Sequence, residues 1–323
     1  MNAGLAANFL TALLLLGSAA AHAQSYPNRP IRLVVPFAPG GNVDITARTI
    51  APELSALLGQ PVVVDNKPGA GGTLGANEVA KAPADGYTLL MGSNSTISVA
   101  PALYPKNPYN PVRDFAPISN LAQVPFVLVV NPGVAAANLR ELLALARAKP
   151  GQLDMASAGT GSSNHLVGEL FQVQTGVKLN HIPYKGSGQA LNDLMGGQVQ
   201  LMFDQLTSAG ANIKGGKLRA LAVSSSARSS ALPDVPTFAE AGVANFNFMN
   251  VTGLLAPAGT PPEVIAKLHA AAVKALESAA VRERFAQMGV SAVGDRPDQF
   301  AAFIREDFAR WSKVVSEGGI KAE

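Results

Sequence analysis

The residues best suited to chemistry sit in small-residue turns between strand-like and helix-like runs. The first turn is Phe37-Ala38-Pro39-Gly40-Gly41-Asn42-Val43-Asp44. Its two glycines let backbone N–H groups approach a ligand closely. The helix predicted to follow offers unpaired N–H groups and the positive end of its dipole, both of which favour an anion. Asn42 or Asp44 could cap that helix or touch a ligand, and a tight turn with a cap is the plainer reading. The second turn, Ser157-Ala158-Gly159-Thr160-Gly161-Ser162-Ser163-Asn164-His165, is rich in hydroxyls and poor in cations. That donor set suits a carboxylate held by neutral groups. It lacks the Gly-Lys-Ser/Thr of a P-loop, and Asn164 stands where a dinucleotide fingerprint has its third glycine. The stretch 69–75 is also off that spacing and reads as a loop and helix entry.

Three further turns follow strand-like runs. They are 92–98, with Ser93, Asn94 and Ser95, then Tyr184-Lys185-Gly186-Ser187, then Asp204-Gln205-Leu206-Thr207. Lys185 could pair with Asp204 or with a ligand, or remain solvated. The catalytic inventory is thin. His165, His181 and His269 are scattered, with no His-x-x-x-His metal spacing. His165 could touch a ligand, while His181 and His269 read as structural. Ser162 with His165 as base would make a serine hydrolase, but no Gly-x-Ser-x-Gly elbow or acidic orienter accompanies them. No catalytic residue, metal or cofactor is expected.

Composition narrows the class. The 323 residues are 48% hydrophobic and 15% charged, enough apolar material for about two cored domains and too few charges for a disordered chain. The net charge of +3 comes without a basic tract, so no nucleic-acid partner is expected. The absence of cysteine excludes disulfides, thiolate metal sites and a cysteine nucleophile.

The elements that must position the turns alternate. Short apolar runs at 31–36, 62–65, 87–91, 127–130, 154–158, 179–183, 199–203 and 218–223 predict buried parallel strands. Helical spacing joins Ile50, Leu54, Leu57 and Leu58, with Pro52 expected to kink or interrupt that helix. Asn138 precedes Leu139, Leu142, Leu143 and Ala146; Leu166, Leu170 and Val173 share a face; Ser187 could cap a helix carrying Leu191, Leu194 and Met195. Thr260-Pro261-Pro262-Glu263 reads as a helix start with Thr260 as N-cap. Ile265, Leu268, Ala272 and Leu276, then Phe300, Ile304, Phe308 and Trp311, form core-packing stripes. The pattern predicts an α/β fold of mainly parallel sheets, with ligands beyond the carboxyl ends of the strands. Pro-bearing stretches at 117–130 and 224–254 read as two crossings between domains. The expected division is 24–124 plus 246–323 as a discontinuous first domain and 125–245 as the second.

An apolar run at 9–21, ending at Ala21-His22-Ala23, reads as a signal peptide, residues 1–23, cleaved after Ala23, although no Lys or Arg precedes it. It is too short to cross a hydrocarbon core of ~30 Å as a helix, and Pro125 interrupts the best later candidate. The mature chain is therefore expected to be soluble.

Ordered blocks along the whole mature chain carry a family resemblance. They include Tyr26-Pro27, Arg29-Pro30-Ile31, PFAPGG at 36–41 with Asp44 and Arg48, Asn66-Lys67-Pro68-Gly69-Ala70-Gly71-Gly72, and Asp85-Gly86-Tyr87-Thr88-Leu89. Asp114-Phe115-Ala116-Pro117, HIPYKGSGQAL at 181–191, GGQVQLMFD at 196–204 and GLLAPAGTP at 253–261 follow. In these blocks the sequence resembles the extracytoplasmic solute-binding proteins of the tripartite tricarboxylate transporter family, also called the Bug family. The resemblance implies a two-domain type II periplasmic binding protein fold joined by two crossing segments, a monomer in the periplasm. The partners it implies are a small organic mono- or dicarboxylate and the large and small integral-membrane subunits of a transporter. It implies that the carboxylate is gripped, partly through ordered water, between 39–44 and 157–164. The expected ligand-binding residues are Phe37, Pro39, Gly40, Gly41, Asn42, Asp44, Ser93, Asn94, Ser95, Ser157, Gly159, Thr160, Gly161, Ser162, Ser163, Asn164, His165, Tyr184, Lys185 and Asp204. Ile97 replaces a histidine common in the family, Ala100 stands where asparagine is common, and Asn250-Val251-Thr252 replaces Ser-Trp-Phe, so pocket size and distal chemistry are expected to differ. A co-receptor for a membrane sensor kinase is the alternative role.

Overall fold

The structure, a computed structural model, describes residues 26–104, 106–318 and 320. The signal peptide read at 1–23 lies outside the described residues. Among the described residues no helix is long and apolar enough to cross a membrane.

Strand β1 (Ile31–Val35) is β-branched and almost wholly buried, as a central parallel strand must be. Helix α1 (Asn42–Leu58) leads to β2 (Val62–Asn66), and α2 (Thr73–Ala80) leads to β3 (Thr88–Ser93). Both β2 and β3 pair with β1 in parallel. Helix α1 buries Ile50, Leu54 and Leu58 and runs through Pro52 without interruption, contrary to expectation. Pro52 lacks the N–H that would bond the Arg48 carbonyl, and both residues face solvent, where water can satisfy that oxygen. A wide helical turn, Ser95–Val99, and α3 (Ala100–Leu103) follow β3.

The long strand β4 (Phe115–Val130) joins the two halves. The second half contains α4 (Leu139–Ala148), β5 (Asp154–Ser157), α5 (Ser163–Thr175), β6 (Asn180–Pro183), α6 (Ser187–Met195), β7 (Leu201–Gln205), α7 (Leu206–Lys214) and β8 (Arg219–Val223). Strands β6 and β7 flank β5 in parallel. The chain returns through β9 (Met249–Pro257), α8 (Pro262–Glu277), α9 (Ala279–Gln287), the short β10 (Ser291–Ala292) and α10 (Pro297–Gly318). The strand order is β2-β1-β3-β9-β4-β7-β5-β6, with β8 and β10 also on β4. The result is a two-lobed α/β fold. The pairs that β1 and β5 make are parallel, whereas β4, β8 and β9 pair antiparallel with their neighbours, contrary to the parallel strands expected at 127–130 and 218–223.

Residues 249–254, the end of the stretch read as a crossing, therefore belong to a strand that runs on to Pro257. Helix α8 starts one residue later than expected: Pro261 is its N-cap, and the Thr260 hydroxyl instead donates to the Pro257 carbonyl. Helix α10 straps the halves together. Its Phe300 and Ile304 pack with Val34, Leu90 and Val251. Its Trp311 packs with Phe246, Phe203 and Leu166.

Candidate binding site

Five turns meet between the lobes, each carrying the chain from a strand into a helix. From the first lobe come the turn after β1, which supplies Phe37, Gly41, Asn42 and Val43, and the turn after β3, which supplies Ser93 and Ser95. From the second come Ala158, Ser163 and Asn164 after β5, Ser187 after β6, and Gln205 at the end of β7. Asn250 of β9 closes the wall. No lysine, arginine, aspartate or glutamate lines this cleft. The helix starts do. Gly41 is the N-cap of α1 in an extended conformation with no side-chain cap, which leaves first-turn N–H groups without an intrahelical partner.

The lobes touch through polar groups. Thr207 of the second lobe donates its hydroxyl to Asn42 Oδ1, while Asn42 Nδ2 donates within the first lobe to Thr252 Oγ1 at 3.0 Å. The Ser163 N–H donates to Ser95 Oγ at 2.8 Å, and the Lys185 carbonyl accepts from the Ala38 N–H at 3.2 Å. Tyr104 OH donates to the Thr160 carbonyl at 3.1 Å. The packing is tight at Gly71, where a Cβ would come within 2.5 Å of the Thr160 carbonyl oxygen. Between the loops, the centre of a water molecule has about 20 Å³ to occupy, room for roughly one water.

A family model described as the tripartite tricarboxylate transporter family receptor matches residues 46–320. The chain belongs to that family. It is 45% identical over 93% of its length to Protein BugT of Bordetella pertussis, covering 92% of that protein. Among solved structures it is similar to R. palustris Rpa4515 with adipate, with 36% identity, TM-score 0.88, and 92% and 99% of the two chains covered. It is also similar to MatC from Rhodopseudomonas palustris with bound malate, with 39% identity, TM-score 0.86, and 90% and 100% covered. The fold expected from sequence is thus the fold of a family of periplasmic solute-binding proteins.

In this receptor several residues expected at the ligand stand one layer behind the cleft. Asp44 accepts from the Gly40 N–H, Arg48 and Asn66 Nδ2, so it fixes the first turn and caps no helix N–H of its own. Asn94 donates to Asp307 and accepts from the Val251 N–H. Ser157 Oγ lies 2.7 Å from His181 Nε2 and accepts from the Gly159 N–H. Ser162 is the N-cap of α5 and accepts from the His165 N–H. Gly161 lies against the Tyr104 ring. Gly159, Thr160, Tyr184 and Lys185 line a neighbouring hollow at one mouth of the cleft, and Pro39 and Gly40 line another.

Lys185 is exposed and Asp204 is buried, so the pairing considered between them is not formed. Asp204 is fully buried, accepting from Asn164 Nδ2 at 3.0 Å, Ser187 Oγ at 2.9 Å and Ser208 Oγ. Burial pushes its pKa up to about 6 against the opposing effect of those donors. Ser187 thus spends its hydroxyl on Asp204, and Gly186 is the N-cap of α6, correcting the cap read at Ser187. The Ser162–His165 hydrolase pairing is not formed. The His165 ring stacks on His181 at 4.1 Å and its Nδ1 accepts from the Gly161 N–H. Desolvation, then the nearby His181 charge, lowers its pKa to about 3.

Five lining residues were not among the expected ligand-binding residues: Val43 and Ala158, which lie inside the two turns read as the grip, and Ser187, Gln205 and Asn250. Gln205 had a signal, since it sits at the carboxyl end of a strand next to a helix start. Asn250 and Thr252 share the cleft face of β9, while Val251 points to the opposite face and packs with Ile97 in an apolar core. Ile97 and Val251 therefore act on the core, and Asn250 is the substitution that reaches the cleft.

Proposed function

We propose that this receptor captures a small organic carboxylate between its lobes and delivers it to the membrane subunits of a tripartite tricarboxylate-type transporter. The observation that carries the reading is the convergence of helix starts from both lobes on a cleft lined by no charged side chain. Such a cleft favours an anion through main-chain N–H groups and helix dipoles. The adipate- and malate-bound relatives are consistent with it. Micromolar affinity needs about −8 kcal/mol. One helix dipole supplies ~0.3–2 kcal/mol, and one hydrogen bond to a charged group ~1.5–3 kcal/mol. Several donors must converge, and only the closed form brings both lobes to one anion, so ligand stabilises closure.

The domains assigned are 24–124 with 246–323, and 125–245. The exchange of β4 partners between Pro125, which faces β9, and Phe126, which faces β7, supports that boundary. Because the space between the turns holds roughly one water, the lobes part to admit a metabolite. The chain acts as a monomeric, non-enzymatic binding protein, exported to the periplasm with cleavage after Ala23. Native mass spectrometry of the purified protein, followed by a thermal-shift screen of carboxylates and neutral sugars, tests the reading. Bound carboxylate and carboxylate-specific shifts support it; shifts from sugars alone overturn it.

A further inference from the structure

The cleft wall carries polar groups whose hydrogen bonding is incomplete, and they cluster. Ser93 is 1% exposed, and its hydroxyl oxygen has no partner among the described residues. It faces Thr252 across the β3–β9 pairing, on the sheet face that carries Asn250 two residues away. Every bond of the buried Asn250 amide is long. Its Oδ1 accepts from Ser163 Oγ at 3.3 Å and Gln205 Nε2 at 3.4 Å, and its Nδ2 reaches the Val251 carbonyl at 3.3 Å and Thr252 Oγ1 at 3.4 Å. Other buried amides of the site are held closely: Asn42 at 3.0 Å and Asn164 at 2.8 and 3.0 Å. Buried polar groups left short of partners cost free energy, which a ligand group of matching chemistry recovers.

The matching chemistry is neutral. Ser93, Gln205 and Asn250 together offer both donors and acceptors, and no cation lines the cleft to balance a charge. The unpaired charge behind the wall has the wrong sign for a second carboxylate. Asp204, which no cation neutralises among the described residues, bonds to Asn164 and Ser187, whereas Asp307, bonded to Asn94, is paired with Arg310. A second buried anion would meet repulsion there and lose its hydration.

Resting on the carboxylate reading above, we propose that Ser93, Gln205 and Asn250 form the subsite for the ligand's second functional group. That group is a neutral carboxamide or hydroxyl, so the preferred ligand is a monocarboxylate with a neutral polar end, not a diacid.

The test is calorimetric titration with matched sets of three to six carbons: each straight-chain diacid, its half-amide and the ω-hydroxy acid of the same length. In every set that binds, one of the neutral-ended acids binds at least tenfold tighter than the diacid. In Gln205→Met and in Ser93→Ala, each checked for an unchanged circular dichroism spectrum, the ratio falls toward one while the carboxylate end still binds. Diacids binding as tightly as their neutral partners, or a ratio preserved in both variants, overturns the subsite and leaves the carboxylate reading standing. Failure of every carboxylate to bind overturns both.

Discussion

Ser95 Oγ accepts the backbone N–H of Ser163 at 2.8 Å, so a hydroxyl of one lobe sits on the first turn of a helix in the other. That N–H is among those an α-helix cannot satisfy internally. The oxygen occupies a position where the helix dipole favours negative charge, and the same contact ties the lobes together. A ligand oxygen entering the cleft competes with Ser95 for this donor.

Removing the hydroxyl isolates its part in closure. A hydrogen bond contributes about 1 kcal/mol net, so Ser95→Ala reduces the closed-to-open ratio of the ligand-free protein about fivefold. Fluorescence energy transfer between dyes on the two lobes reads this ratio. An unchanged distance distribution would mean that Ser95 contributes nothing to closure.

Gly71 and Gly161 make a graded pair. Gly71 has φ +62°, and a Cβ there meets the Thr160 carbonyl of the opposite lobe at 2.5 Å, a backbone atom that yields only if the lobes separate. Gly161 has φ +79°, and its Cβ would meet the Tyr104 ring at 2.7 Å, which can swing aside. Both alanine variants carry about 1–2 kcal/mol of left-handed backbone strain. Gly71→Ala should weaken carboxylate binding at least tenfold, and Gly161→Ala less, with the helical signal of both retained. Equal, unimpaired affinities in calorimetry would contradict the closure geometry.

Two buried groups oppose each other in acid. Burial raises the folded-state pKa of Asp204 from 3.8 to about 6, so the folded state binds the extra proton across that window and stability falls as pH rises through it. Desolvation lowers that of His165 from 6.5 to about 3, so the unfolded state binds the extra proton and stability rises with pH from about 3 to 6.5. Between pH 4 and 6 the slopes oppose. Relative to the parent, Asp204→Asn should make stability rise more steeply with pH, and His165→Gln less steeply, each by up to about 1.4 kcal/mol per pH unit. Urea unfolding at pH 4, 5 and 6 measures both slopes. Changes of the same sign would refute the pairing.

The lobes were legible where strands are apolar, as in Ile31–Val35 or Leu201–Gln205. Strand β9 was hidden because Asn250 and Thr252, its cleft-facing residues, break the apolar pattern. The first half of β4 was hidden by Pro117, Ser119, Asn120 and Pro125. The glycine and serine turns announced themselves by lying between strand and helix. Which side chains of a turn face the ligand depends on partners far away in sequence. Asp44 turns back to Gly40 and Asn66, Asn94 to Asp307, and Ser157 to His181. Asn250 belongs to no local pattern and meets Gln205 only in the fold.

The central claim is that main-chain N–H groups from both lobes hold one carboxylate. Amide hydrogen exchange, measured with and without a carboxylate that raises the melting temperature, tests it directly. The account predicts slowed exchange in two places together: residues 41–44 at the start of α1 and residues 163–165 at the start of α5. Protection confined to one lobe, or absent from both while the carboxylate is bound, would contradict it.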